Sequence, residues 1–254
     1  MVGARHARRL RARSAFVIVY GRNAVREALR GRRASSAGEV VATEALAREP
    51  WLAARRPRIA AAEEIERVCG SREHQGVCVE LPGGYPYVSS AELLALPEPL
   101  IVALDEIQDP QNLGAICRTA ECVGVSGVVI CERRAAEVTP AVCRASAGAV
   151  EHLRIARARN LADFMLAARR AGCWSYGTVA APGALDYTTP DYSGGLVIVF
   201  GGEGRGLRRR VAESCDALVT LPLRGRIASL NVNAAAGALL YEVLHRREPL
   251  DRTP

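Results

Sequence analysis

A chain of 254 residues, 49% of them hydrophobic, is long enough for two domains with real cores. All 34 basic residues are arginine and the formal charge is +7, which points to a polyanionic partner, because the planar guanidinium fork donates two hydrogen bonds to one phosphate. No run approaches the ~20 apolar residues of a membrane span, and the eight cysteines include no Cys-x-x-Cys pair; both argue against a membrane protein, a disulfide framework or a bound metal, and for a cytoplasmic protein.

The charge is unevenly placed. Residues 1–60 hold 14 arginines against 4 acids (+10), leaving 20 against 23 (−3) in the remainder. Residues 1–14, with Arg5, Arg8, Arg9, Arg11 and Arg13 and no apolar periodicity, read as a basic disordered tail. Next, FVIVYG predicts a strand, and GRNAVREALRG a helix ended by Gly31 with Ala24, Val25, Ala28 and Leu29 on its apolar side. Further strand and helix segments follow, and GVCVEL closes residues 15–81 as a small α/β domain. Pro82, Pro86, Pro97 and Pro99, with Gly83 and Gly84, mark 82–99 as a stiff linker to a second domain, 100–254.

That domain opens on a buried strand, 100–104. Asn112 is expected to cap a helix over 113–123 whose core face is Leu113, Ile116, Ala120 and Val123. Arg118 lies off that stripe, so it reaches solvent or aims back over the strand end, where α/β sheets place ligands. GVVIC, HLRIAR, GCWSYGTVA, LVIVF and DALVTL supply further strands, with helices near 138–146, 160–171 and 206–213.

The run LVIVFGGEGRGL is an apolar strand that stops at a glycine turn, as where a backbone approaches a ligand closely. Glu203 is the one acid among Gly201, Gly202, Gly204 and Gly206, and is therefore displayed rather than buried. Gly202, Gly204 and Gly206 also fit G-x-G-x-G. A dinucleotide fingerprint belongs at the first strand of its domain, however, and a P-loop needs a Lys-Ser/Thr pair that is missing. After a strand at 217–221, Ser229, Asn231 and Asn233 crowd the start of a last helix. Its predicted stripe is Ala236, Leu240, Val243 and Leu244, with His245, Arg246 and Arg247 favoured at the end by the helix dipole.

Three stretches, DPQNLGAICRTAECVGVSGVV (109–129), VFGGEGRGL (199–207) and LPLRGRIASLNVNAAAGALLYE (221–242), resemble in order and spacing the signature motifs of the SpoU/TrmH ribose 2′-O-methyltransferases of the SPOUT superfamily. YGRNAVREAL (20–29) and EHQGVCVELPGGYPYVS (73–89) resemble the flanks of the branch that methylates a guanosine ribose in large-subunit ribosomal RNA. The resemblance implies an α/β domain with a deep trefoil knot, preceded by a ribosomal-protein-like RNA-binding module. It implies S-adenosyl-L-methionine as cofactor, held by Thr178, Val179, Ala180, Gly201, Leu221 and Leu230, where a glycine leaves volume for the ligand. It also implies Asn112, Arg118, Glu203, Ser229 and Asn231 as the catalytic set, with Glu203 available to steady Arg118 or to position the substrate ribose, and a homodimer. Arg208, Arg209, Arg210, Arg224 and Arg226 are expected to receive RNA phosphate. A relative acting on transfer RNA or on another ribosomal nucleotide, and a non-catalytic RNA-binding protein on the same scaffold, stay open as alternatives.

Overall fold

The computed structural model describes residues 16–227 and 229–247; the basic tail of residues 1–14 lies outside them. In chain order the elements are β1 (Phe16–Tyr20), α1 (Arg22–Ala28), β2 (Val40–Ala42), α2 (Glu44–Ala47), α3 (Pro50–Ala53), β3 (Arg58–Ile59), α4 (Ala62–Cys69) and β4 (Val77–Pro82). They continue as α5 (Ser90–Leu94), β5 (Leu100–Asp105), α6 (Pro110–Cys122), β6 (Gly127–Cys131), α7 (Pro140–Ala145), β7 (Ile155–Ala158) and α8 (Leu161–Arg170). The last are β8 (Trp174–Thr178), β9 (Leu185–Asp186), β10 (Leu196–Gly201), α9 (Arg209–Ser214), β11 (Ala217–Thr220) and α10 (Val232–Arg247). Two compact units result. One is the described chain up to Pro86 joined by Val138–His152; the other is Tyr87–Glu137 joined by the chain from Leu153 onward.

The first unit is built on a mixed sheet, order β1-β4-β2-β3, in which β4 runs antiparallel to both β1 and β2. Chain order placed 138–146 in the second domain, but α7 packs on β1 and the whole stretch to His152 joins this unit. The reason is burial. Val142, Cys143 and Val150 are solvent-excluded, and so is the Glu151 carboxylate, which no apolar surface would accept unpaired. Arg33, itself buried, meets that carboxylate with both Nε (2.9 Å to Oε2) and Nη2. Its guanidinium lies 5.5 Å from the centre of the Tyr85 ring, and the Tyr85 hydroxyl donates to the Val150 carbonyl at 2.6 Å. Gly31 passes so near that a β-carbon there would stand 2.6 Å from Glu151 Cβ.

The second unit holds a seven-stranded sheet, order β7-β6-β5-β10-β8-β11-β9, with every pairing parallel. Strands buried on both faces read as unbroken apolar runs, and β5 (LIVALD) and the first five residues of β10 (LVIVF) are buried throughout. The chain leaves β5 toward β6 and β7 on one side; β10, β8, β11 and β9 lie on the other. The order therefore reverses between β5 and β10, the position where open α/β sheets leave a crevice at the strands' carboxyl ends.

Two helices frame that crevice, and α10 packs on α6. Asp109, not Asn112, caps α6: its carboxylate accepts from Gln111 N at 2.9 Å, and Pro110 follows at the first helical position. Asn112 falls inside the first turn with its side chain buried. On α10 the core face is Val232, Ala236, Leu239, Leu240 and Val243, so Leu239 takes the place expected of Leu244, which is half-buried. No helix among the described residues is long and apolar enough to cross a membrane. All eight cysteines are free.

Candidate active site

The turn after β10 is shaped by its own backbone. Gly202 N donates to the Asp105 carbonyl at 3.0 Å and Gly206 N to the Gly202 carbonyl at 2.9 Å, while Gly204 and Gly206 adopt φ of +76° and +64°. A β-carbon on Gly201 would sit 2.2 Å from the Gly206 carbonyl carbon. Closure of the loop on itself thus requires that glycine.

Asp105, buried at the end of β5, pins the far end of the loop. Its carboxylate accepts from Arg208 N and from Arg208 Nε, each at 2.8 Å, and Arg208 Nη1 reaches Glu106 at 3.2 Å. Hydrogen bonding to Asp105 raises the guanidinium above its ordinary pKa. Arg208 is therefore engaged with Asp105 and Glu106 while still 45% exposed, and Arg209, Arg210, Arg224 and Arg226 are exposed as well.

With the loop fixed, Glu203 stands between the starts of α6 and α10. Its Oε1 accepts from Asn112 Nδ2 at 2.9 Å and from Asn231 Nδ2 at 2.8 Å. Asn233 Nδ2 donates to Asn112 Oδ1 at 2.6 Å, and Asn231 Oδ1 caps α10 by accepting from Asn233 N at 2.9 Å. Four residues from three elements form a ring that closes through the Asn233 backbone N–H. Glu203 does not steady Arg118. Arg118, exposed on α6, makes no hydrogen bond or ion pair with any described residue.

Beside the ring lies a cavity of about 420 Å3 at the carboxyl ends of β8, β10 and β11. Thr178, Val179, Ala180, Gly201, Leu221 and Leu230 all line it, as do Glu203 and Ser229 from the catalytic set. Asn112 and Asn231 reach it through Glu203, whereas Arg118 is neither in the ring nor on the wall. No group of three or more His, Cys, Asp or Glu among the described residues could hold a metal ion.

A family profile described as the SpoU rRNA methylase family matches residues 99–241, more than half of the chain. The chain belongs to the SpoU family. Among its relatives, the Bacillus subtilis protein YacO, whose name places it in the TrmH family of tRNA/rRNA methyltransferases, is 42% identical over 70% of this chain and 73% of its own. An uncharacterized tRNA/rRNA methyltransferase of Mycolicibacterium vanbaalenii is 38% identical over 91% of this chain and 76% of its own. The AdoMet-bound rRNA methyltransferase of Sinorhizobium meliloti superposes with a TM-score of 0.76 at 28% identity, covering 94% of this chain and 90% of that one. The SpoU methyltransferase AviRb of Streptomyces viridochromogenes, in complex with AdoMet, shares the fold with a TM-score of 0.77 at 24% identity, over 93% and 92% of the two chains.

One residue of this SpoU-family site, and the partner of another, escaped the sequence reading. Asp105 ends an apolar run and carried no motif signal, since its partner is 103 positions away. Asn233 stood in view at the helix start as a residue that could cap or point at a substrate, but its bond to Asn112 was not foreseen; the Asn-x-Asn spacing, which sends one side chain to the cap and the next to α6, was the available clue.

Proposed function

We propose that this SpoU-family chain transfers a methyl group from S-adenosyl-L-methionine to a ribose 2′-hydroxyl of RNA, with a guanosine of large-subunit ribosomal RNA as the target. The observation that carries this reading is the junction of the Glu203 ring with the cavity at the strands' carboxyl ends. The cavity suits the cofactor: its volume lies in the range of small-molecule sites, Val179, Leu221 and Leu230 offer apolar walls, and nothing fills the space where Gly204 and Gly206 would carry side chains. Thr178, Val179, Ala180, Gly201, Leu221 and Leu230 would hold it. When bound, it supplies an electrophilic methyl group on a sulfonium.

The chain's own residues position the nucleophile. A guanidinium holds its proton so firmly that it makes a poor general base near neutral pH. Arg118 instead grips the phosphate next to the target ribose and stabilises negative charge building on the 2′-oxygen. Its lack of a hydrogen-bond or ion-pair partner among the described residues supports this role. Glu203 has one oxygen saturated by amides and a second free to accept from the ribose, and Ser229 on the cavity wall fixes orientation by a neutral hydrogen bond.

The reading extends to a threaded carboxy-terminal segment forming a trefoil knot, supported by the convergence of residues 201–207 and 221–235 on one cavity. It includes a ribosomal-protein-like first unit, for which the four-stranded mixed sheet with helices speaks, and a homodimer, for which the exposed Tyr241 on α10 speaks. Incubation with labelled S-adenosyl-L-methionine and unmodified ribosomal or transfer RNA, followed by mapping of alkali-resistant linkages, tests substrate and chemistry together. Label confined to transfer RNA would select the sister activity, and label on a base would refute the ribose assignment. In the Arg118→Ala variant, RNA binding retained with a pH–rate profile of unaltered shape would fit the electrostatic role; loss of an ionisation from the profile would refute it.

A further inference from the structure

We propose that Asn233 is a positioning residue of this site, acting through Asn112 to set the orientation of Glu203; the inference rests on the reading of Glu203 as a group that touches the substrate ribose. Ionised Glu203 can only accept hydrogen bonds, so both asparagines facing it must turn their NH2 groups toward it. That choice leaves Asn112 with its oxygen facing away, inside the protein, where an unpaired acceptor is destabilising. Asn233 Nδ2 meets that oxygen at 2.6 Å. Its own Oδ1 is buried and has no partner among the described residues, so Asn233 is held in an orientation that satisfies Asn112 at its own expense. The backbone N–H of the same residue closes the ring through Asn231 Oδ1.

Each bond in the ring fixes the polarity of the next. Without a donor at position 233, the Asn112 amide is free to rotate by half a turn and set oxygen against the Glu203 carboxylate. Glu203 then swings away from its pair of amides, and its second oxygen loses its aim.

Asn233→Asp tests this with almost no change of shape. The new carboxylate presents an acceptor to an acceptor when ionised and becomes a donor again when protonated. Facing the Asn112 oxygen, with its other oxygen buried and the Glu203 carboxylate just beyond, the new carboxyl is expected to hold its proton well above the usual aspartate range, against the pull of the α10 start. The first readout needs no turnover: in the labelled full chain without ligand, the Asn112 side-chain amide resonances are expected to shift and exchange faster at about pH 8, then return toward the wild-type positions at about pH 5.5. The second is kinetic. With donor and RNA, kcat is expected to fall about tenfold at about pH 8 with both KM values unchanged, the variant-to-wild-type ratio recovering on acidification. Asn233→Ala should show the same loss without recovery. Unmoved Asn112 resonances, or a ratio flat across that pH range, would overturn the proposal. Wild-type protein inactive on every RNA would instead refute the functional reading, with the resonance measurement still deciding the ring.

Discussion

Replacing Asp105 by Asn preserves the shape of the residue that pins the glycine turn and removes its charge. The carboxylate serves two separate donors, the backbone N–H and the guanidinium of Arg208, and its side chain is 0% exposed. An amide oxygen can satisfy one of them but not both, and its NH2 then faces the other as donor against donor. Hydrogen bonds to a charged group contribute about 1.5–3 kcal/mol, and a stranded buried N–H costs about 1–3 kcal/mol. The guanidinium is 45% exposed and keeps Glu106, so its share is discounted toward the 0–1 kcal/mol of a surface pair. The net loss is about 3 kcal/mol, which for a chain of this size lowers the melting temperature by about 6–12 °C. Calorimetry on the intact chain reads that shift, and a titration with S-adenosyl-L-methionine should show weaker binding as the turn loosens. If Asp105→Asn melts within about a degree of wild type, the carboxylate does not hold the turn in the way described.

Other substitutions separate the roles assigned above. Gly201→Ala should reduce cofactor affinity and stability together, because its methyl strikes the Gly206 backbone; wild-type stability with binding alone lost would restore a purely ligand-facing role. Glu203→Gln, keeping the ring's geometry but weakening its charge-assisted bonds, should lower kcat by about tenfold or more with KM for the donor little changed; an unchanged kcat would remove Glu203 from the chemistry. Glu151→Ala strands the buried Arg33 and should cost about 3–5 kcal/mol, with faster hydrogen exchange over 138–152; unaltered exchange there would show that the pair is not what ties the segment down. Burial pushes the thiols of Cys78, Cys143 and Cys215 up to about 12, so near pH 8 they should resist alkylation while exposed Cys122 is modified, as peptide mapping would reveal; labelling of Cys143 in the folded chain would contradict its placement.

What the sequence disclosed and what it concealed divide along the range of the interaction. Strands buried on both faces announce themselves locally, which is why 196–200 and 100–104 were found within one residue of β10 and β5. The display of Glu203 was equally legible, because four glycines around one acid leave no other residue to cover it. Asn112 was misassigned to a cap since Asp109, three residues earlier, satisfied that need first and freed the asparagine for a partner 91 positions away. The demand on Gly201 was identified by type but not by cause, as the colliding backbone belongs to a loop closure that no linear pattern records. Arg208 looked like its neighbours Arg209 and Arg210 until Asp105, on another strand, claimed it.

The excursion of residues 138–152 into the first unit means that the polypeptide crosses between the two bodies three times rather than once. Cutting at Pro86 would not yield a self-sufficient carboxy-terminal half: Val142, Cys143, Val150 and the Glu151 carboxylate would all be bared at a stroke. The two halves share a structural debt, so neither can be exchanged for a foreign counterpart by joining ends, and any transplant must carry the excursion along with the body that shelters it.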